Sequence, residues 1–223
     1  MTDPNQPPKY RYRLIFAKKA AVKYIAHLDL ALAWERALRR AQIPLAYSQG
    51  FNPQPRIQFA CSLPLGTMGR AEILDIITLE PLALDEALAQ IRTALPSGIE
   101  LHSVEEVPLR DPALQALVHQ GEYRALVETD LSGEELTGRI DLLLAADEII
   151  QTRRRKKKIE EFDLRPWLHD LALESLDNGE AHVHMRLATG QFGNLRPADV
   201  LKALGLDENW AEIERTRLIF SEE

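Results

Sequence analysis

The sequence predicts an α+β protein built as tandem ferredoxin-like (split βαβ) domains with antiparallel sheets, and three observations carry that expectation. Segments of period-2 hydrophobicity alternate with segments in which apolar residues recur at three and four. Their order through the first half is β-α-β-β-α-β, and it nearly recurs in the second half.

Residues 10–17, YRYRLIFA, set Tyr10, Tyr12, Leu14 and Phe16 against Arg11, Arg13 and Ile15, which is a strand pattern. From His27 to Gln42 the apolar Leu28, Ala31, Trp34, Leu38 and Ala41 mark one amphipathic helix, and Pro44 ends it. IQFACSL (57–63) and EILDIITL (72–79) read as a hairpin around a Pro64, Gly66, Gly69 turn. A helix over 83–95 stops at Pro96 and Gly98, and IELHSVEEV (99–107) reads as a strand. These define a basic N-terminal ferredoxin-like domain over 9–108, with 109–121 as a linker in which ALQALVHQ is apolar enough for a short helix.

The second domain, 122–220, is expected to run from strand EYRALVE (122–128) to helix GEELTGRIDLLLAA (133–146) and strand EIIQTRR (148–154). An inserted helix over 165–176, strand HVHMRLA (182–188), a helix over 197–204 and strand EIERTRLIF (212–220) complete it. One continuous sheet with helices on one face is the competing architecture.

The 223 residues hold one cysteine, Cys61, so no internal disulfide is possible and a reducing compartment is expected. The first ten residues, polar and proline-rich, have no signal-like apolar run, and no stretch is apolar enough to span a membrane. The expected home is the cytoplasm. The net charge of −7 hides an asymmetry: residues 9–70 carry eleven Lys/Arg against Asp29 and Glu35. Such a polarised field steers an anionic ligand to one end of a soluble protein.

The loop AYSQGFNPQPRIQFA is the most distinctive segment, because Gly50, Asn52, Pro53 and Pro55 forbid regular structure ahead of a buried strand. Ser48, Gln49, Asn52, Gln54 and Arg56 offer donors around Phe51, a combination suited to stacking on an unpaired base. The bland alternative makes Phe51 a core plug. Asp29, Arg36 and Arg40 fall on one helical stripe, where Arg36 and Arg40 are candidates to clamp phosphates. The run Arg153, Arg154, Arg155, Lys156, Lys157, Lys158 is a candidate backbone contact, or else a solvated hairpin tip neutralised by Glu160 and Glu161. DLRP (163–166) and NLRP (194–197) each open a predicted helix, which adds Arg165 and Arg196 as candidate anion contacts beside a capping role for Asp163 and Asn194.

Catalytic and metal signatures are missing. His182 and His184 have no partners at metal-ligand spacing, and there is no GxSxG, Walker A or GxGxxG, so no metal and no cofactor are expected. His27 and Asp29 are the one acid/base pair close in sequence, but residues two apart on a helix do not face each other. A standard RNA-recognition motif is disfavoured because EILDIITL lacks the stacking aromatics of that module.

The stretches YIAHLDLALAWERALRRAQIPLAYSQGFNPQPRI, LPLG, KKKIEEFDLRPWL and GNLRPADVLKALGL resemble the radical SAM-associated family of bacterial proteins, from about Arg11 to Phe220. The resemblance implies partnership with a radical SAM protein, and RNA or ribosome-related components are the further expected partners. The family pattern has Ser where this chain has Ala26 and His where it has Gln54. The chain also lacks the three-cysteine motif that would hold an iron–sulfur centre, so it is not itself the radical enzyme. The expected function is a non-catalytic RNA-engaging or substrate-presenting module. The alternative is an RNA-processing or RNA-modifying enzyme that uses Asp29 or His27 as acid or base.

Overall fold

A computed structural model describes residues 8–155, 158–191 and 193–220. The chain divides into two compact α+β units, one ending at Leu117 and one starting at Val118.

In the first unit the chain runs through β1 (Tyr10–Lys18), a 3-10 turn (Ala20–Val22), α1 (His27–Arg40), β2 (Ile57–Phe59), β3 (Thr67–Thr78), α2 (Leu84–Ala94), β4 (Ile99–Val107) and α3 (Leu114–Leu117). The strands lie in the order β4-β1-β3-β2, each antiparallel to its neighbour. Alternation along β1 buries Tyr12, Leu14 and Phe16, which pack with Leu74 and Ile76 of β3 against Leu30, Trp34 and Leu38 of α1 and Ile91 of α2. Trp34 meets Phe16 edge-on at 5.0 Å, a geometry that aromatic quadrupoles favour. α1 closes through Gln42, whose φ of 56° occupies the left-handed position usually given to glycine.

Arg11 and Arg13, one position out of phase with that core, share Asp75 across the ladder. Arg11 Nε donates to Oδ2 at 2.8 Å and Arg13 Nε to Oδ1 at 3.0 Å. Arg11 also donates to the carbonyls of Asp111 (2.8 Å) and Pro112 (3.0 Å), which ties down the segment after β4. This buried ion pair is fully hydrogen-bonded, the condition under which buried charge is tolerated.

The second unit comprises β5 (Val118–Glu128), α4 (Gly133–Ala145), β6 (Ile150–Arg155), β7 (Lys158–Asp163), a 3-10 turn (Arg165–Trp167), β8 (Leu168–Asp177), β9 (Glu180–Ala188), α5 (Pro197–Ala203) and β10 (Ala211–Phe220). Its main strands lie in the order β10-β5-β9-β8, again antiparallel, while β6 and β7 form a separate two-stranded ladder. Tyr123, Ala125 and Val127 of β5 and Val183, Met185 and Leu187 of β9 form the core with Leu136 and Ile140 of α4 and Val200 and Leu201 of α5. Ser132 starts α4 with a capping box: its hydroxyl accepts from Glu135 N, and Glu135 accepts from Ser132 N.

Three expectations need correction. The helix predicted over 165–176 is a 3-10 turn followed by strand β8. The strand expected at 148–154 belongs to the β6–β7 hairpin and not to the main sheet, and its partner is Lys158–Asp163, in keeping with the hairpin alternative for the basic run. Within 109–121, expected as a linker with room for a short helix, that helix is α3, but β5 already starts at Val118 and not at 122.

Candidate functional site

The polypeptide between α1 and β2 is held by backbone pairing at its neck. Leu45 bridges Thr78, Ala46 N donates to Ile77 O at 2.8 Å, and Tyr47 bridges Pro55. Above that bridge, Ser48 N donates to Gln54 O at 2.8 Å and Gln54 N donates to Ser48 Oγ at 2.9 Å. The tip, residues 49–53, is exposed throughout, and Gly50 (φ 134°) makes the turn that a side chain would strain. Phe51 is wholly exposed at this tip and plugs no core.

Between α1 and the returning arm of the loop lies a cleft of about 480 Å³. His27, Gln54, Gln58 and Gln115 supply its polar groups, and Ile57 and Phe59 its apolar surface. The His27 ring stands edge-on to Phe59 at 5.2 Å. Leu28 and Leu32 also line the cleft, and Leu28 is 80 % exposed. Glu35, a further lining residue, accepts from Arg39 at 2.7 Å, so its charge is compensated.

A second cleft, of about 510 Å³, shares Ile57 and Gln58 with the first and contains three basic side chains, Lys9, Arg11 and Arg56, and two acidic ones, Asp75 and Asp111. Arg56 is exposed in it, whereas Arg11 is committed to Asp75 and to the carbonyls after β4. Strand β2 is therefore bordered by a neutral, carboxamide-lined cleft and by a basic one.

The other predicted residues do not join this arrangement. Arg40 donates to Ala94 O at the end of α2 and lines a different cavity with Ala89, Gln90 and Thr93, none of which belongs to the loop. His27, Ala31 and Glu35 turn one α1 face toward the cleft at helical spacing, and the stripe of Asp29, Arg36 and Arg40 lies outside it. Asp29 and Arg36 are exposed, and Asp29 does not line the cleft that His27 enters. The basic side chains of residues 9–70 are also interleaved with acids: Arg11 and Arg13 with Asp75, Lys19 with Glu100 at 3.0 Å, and Arg39 with Glu35 of the same segment.

In the second unit Arg165 has a structural task. Its guanidinium donates to the carbonyls of Leu144, Ala146 and Leu168, each at 3.0 Å, satisfying the end of α4. Asp163 Oδ1 accepts from Ile149 N and Arg165 N, but it caps no helix: the 3-10 turn that follows is preceded by Leu164 and has no side-chain cap. Arg196, exposed, is itself the residue that precedes α5, with Pro197 at the first helical position, and no side chain caps that helix. Of the basic run, Lys156 and Lys157 lie outside the described residues, as do the side chains of Arg153, Arg154, Arg155 and Lys158.

Charge on the second unit is paired as well. Glu122 accepts from Arg217 through both carboxylate oxygens, at 2.6 and 2.7 Å, and those hydrogen bonds hold its carboxyl below the usual range. His184 Nδ1 stands 3.6 Å from Asp170, and among the described residues no three His, Cys, Asp or Glu side chains gather as a metal site. No helix among the described residues is long and apolar enough to cross a membrane.

Gln58 and Gln115 are members of the cleft that the sequence did not point to. Gln58 lies within an apolar strand, and Gln115 comes from a segment read as linker, so neither carried a local signal.

Among solved structures the chain is similar to a protein of a Cbf5-Nop10-Gar1 complex, with 13 % identity and a TM-score of 0.46, over 84 % of this chain and 44 % of that one. It is similar to a protein of an H/ACA RNP bound to a substrate RNA containing 2'-deoxyuridine, with 13 % identity and a TM-score of 0.49, over 95 % and 49 % of the two chains. An archaeal box H/ACA sRNP Nop10-Cbf5 complex gives 12 % identity and a TM-score of 0.48, over 95 % and 49 %. The chain thus spans about half the length of the solved proteins it matches. No curated protein matches it. Over residues 11–197 the sequence matches a family profile, and the chain belongs to that family, described as "Uncharacterized protein conserved in bacteria (DUF2344)".

Proposed function

We propose that this protein is a non-catalytic module that engages unpaired RNA through the loop between α1 and β2. The observation that carries the reading is Phe51, wholly exposed at the tip of a loop whose neck is closed by hydrogen bonds, with Gln49 and Asn52 exposed beside it. Burial is the usual fate of a large aromatic ring, and base stacking uses an exposed one with polar neighbours. Arg56, at the foot of the loop, supplies charge for the phosphate backbone.

The enzyme reading needs an acid and a base that share a site. His27 enters the cleft and Asp29 does not, which favours the binding reading. We further propose that each unit is a ferredoxin-like split βαβ, supported by the strand orders β4-β1-β3-β2 and β10-β5-β9-β8. The proposed protein partner, a radical SAM protein, rests on the sequence resemblance alone, and its test is co-purification from a bacterial host.

The RNA reading is tested with labelled single-stranded RNA and the full chain, with fluorescence anisotropy as the readout. Phe51→Ala should weaken binding roughly tenfold, within the range for loss of one stacked base, with no change in thermal stability. Failure of the native chain to bind RNA would falsify the reading. Turnover of RNA by the isolated chain, abolished by His27→Ala, would replace it with the enzyme alternative.

A further inference from the structure

We infer that the cleft between α1 and the loop arm is a receptor for a single unpaired adenine base, with the adjoining basic cleft taking the neighbouring phosphate. The inference rests on the RNA reading above and goes further, naming the base and the residues that read it.

The argument starts from what the cleft offers. A volume of about 480 Å³ suits a small planar group and not a folded segment of chain. Ile57 and Phe59 give it apolar walls, as base faces require, and His27 adds an aromatic edge already set against Phe59. Its polar groups are chiefly carboxamides, from Gln54, Gln58 and Gln115. A carboxamide presents a donor beside an acceptor and so pairs in bidentate fashion with an amino donor next to a ring-nitrogen acceptor; an unpaired adenine offers that pattern on two edges, N6 with N1 and N6 with N7, and an unpaired cytosine on one, N4 with N3, so a cleft with several carboxamides favours adenine. Guanine is read best by arginine or lysine. No lysine or arginine lines this cleft, and its one carboxylate, Glu35, accepts from Arg39.

The second observation is adjacency. Ile57 and Gln58 line both clefts, so a base seated on one side of β2 places its phosphodiester beside the cleft that holds Arg56 and Lys9. Arg11, in the same cleft, is already engaged by Asp75, which leaves Arg56 as the side chain to vary. Gln54 is at once the arm of the loop and a wall of the cleft, so the tip that carries Phe51 and the cleft belong to one continuous segment of chain.

The test uses the full chain and labelled oligo(A), oligo(U) and oligo(C) RNAs of about eight nucleotides, a length within single-strand site sizes. Oligo(A) should bind roughly tenfold tighter than either pyrimidine strand, the margin that one good bidentate contact provides. Gln54→Leu and Gln58→Leu should each erode that preference and leave the salt dependence of binding unchanged. Arg56→Ala should weaken all three strands alike and lower the salt slope by roughly 0.7, the value for one phosphate contact on a single strand. Circular dichroism establishes that each variant is folded; Gln54 and Arg56 are exposed, so those two variants carry the test even where Gln58→Leu misfolds. Equal affinity for the three strands, or a preference untouched by Gln54→Leu, overturns the adenine cleft while RNA binding through Phe51 stands. A chain that binds none of the strands overturns both.

Discussion

The two units solve the same problem differently at the same place. In each, the first helix is followed by an excursion before the chain returns to the sheet: residues 41–56 after α1, and residues 146–167 after α4. In the first unit that excursion is a polar loop with an exposed phenylalanine, bordering two clefts beside β2. In the second it is the β6–β7 hairpin, whose base is secured when Arg165 satisfies the α4 carbonyls and Asp163 accepts from Ile149 N. The same topological position thus carries an exposed ring with exposed polar neighbours in one unit and, among the described side chains, internally satisfied polar chemistry around Arg165 in the other.

The comparison breaks most severely in the cores. Trp34→Ala, at a position with no exposure and an edge-on partner, should cost about 3–5 kcal/mol in chemical denaturation. Trp34→Phe should cost far less, because the indole N–H has no hydrogen-bond partner among the described residues. Next in size is Arg165→Met, which removes the donors for three carbonyls and should cost about 1–3 kcal/mol without altering RNA affinity. Arg56→Ala is its mirror image, changing stability by less than about 0.5 kcal/mol while lowering affinity. If both arginine variants lose stability, or both lose affinity, the distinction between the excursions fails.

Ser132→Ala ranks below Arg165→Met in stability, with an expected cost of about 1 kcal/mol through loss of the α4 cap. Ser132 bonds hold the Glu135 carboxyl below its ordinary range, so this contribution is present above that range and fades as pH falls through the lowered value. α1, preceded by Ala26 with no side-chain cap, has no counterpart to lose. The smallest effect is Glu122→Gln, a slight drop in Tm at neutral pH, since Arg217 is largely exposed and solvent screens the pair. The depressed Glu122 carboxyl works in the same direction: native and variant melting curves should converge in acid.

Much of the first unit was legible in the sequence because its patterns are undisturbed. The alternation of Tyr12, Leu14 and Phe16 faces the core as its period requires, and β4 occupies the expected residues; of the expected α1 stripe Trp34, Leu38 and Ala41 are buried, whereas Leu28 is exposed and Leu30 packs in the core instead. The second unit misled at β8 for a physical reason. Register shifts between Leu168 and Asp170 and between Leu173 and Ser175 insert extra residues into the strand, so buried Leu168 and Leu171 fall three apart and imitate a helix. The corrective signal was Asn178-Gly179, both at positive φ, which is the turn chemistry of a tight hairpin and joins β8 to β9. The loop was legible from its glycine and prolines, and its exposed ring from its polar neighbours. The cleft was not, because Gln54, Gln58 and Gln115 meet only after β2, α1 and α3 have folded together.

The closed neck of the α1–β2 loop has a kinetic consequence. With Tyr47 bridged to Pro55 and Ser48 bonded twice to Gln54, the chain has already spent the conformational entropy that a floppy loop would lose on meeting its ligand. Encounter with a single strand then needs no ordering step, so association should run at the rate set by diffusion and charge, and changes at the tip should register as faster departure. Ser48→Ala, which frees one side of the neck and leaves Phe51 intact, should instead slow arrival, separating a loop that waits in shape from one that is shaped by what it binds.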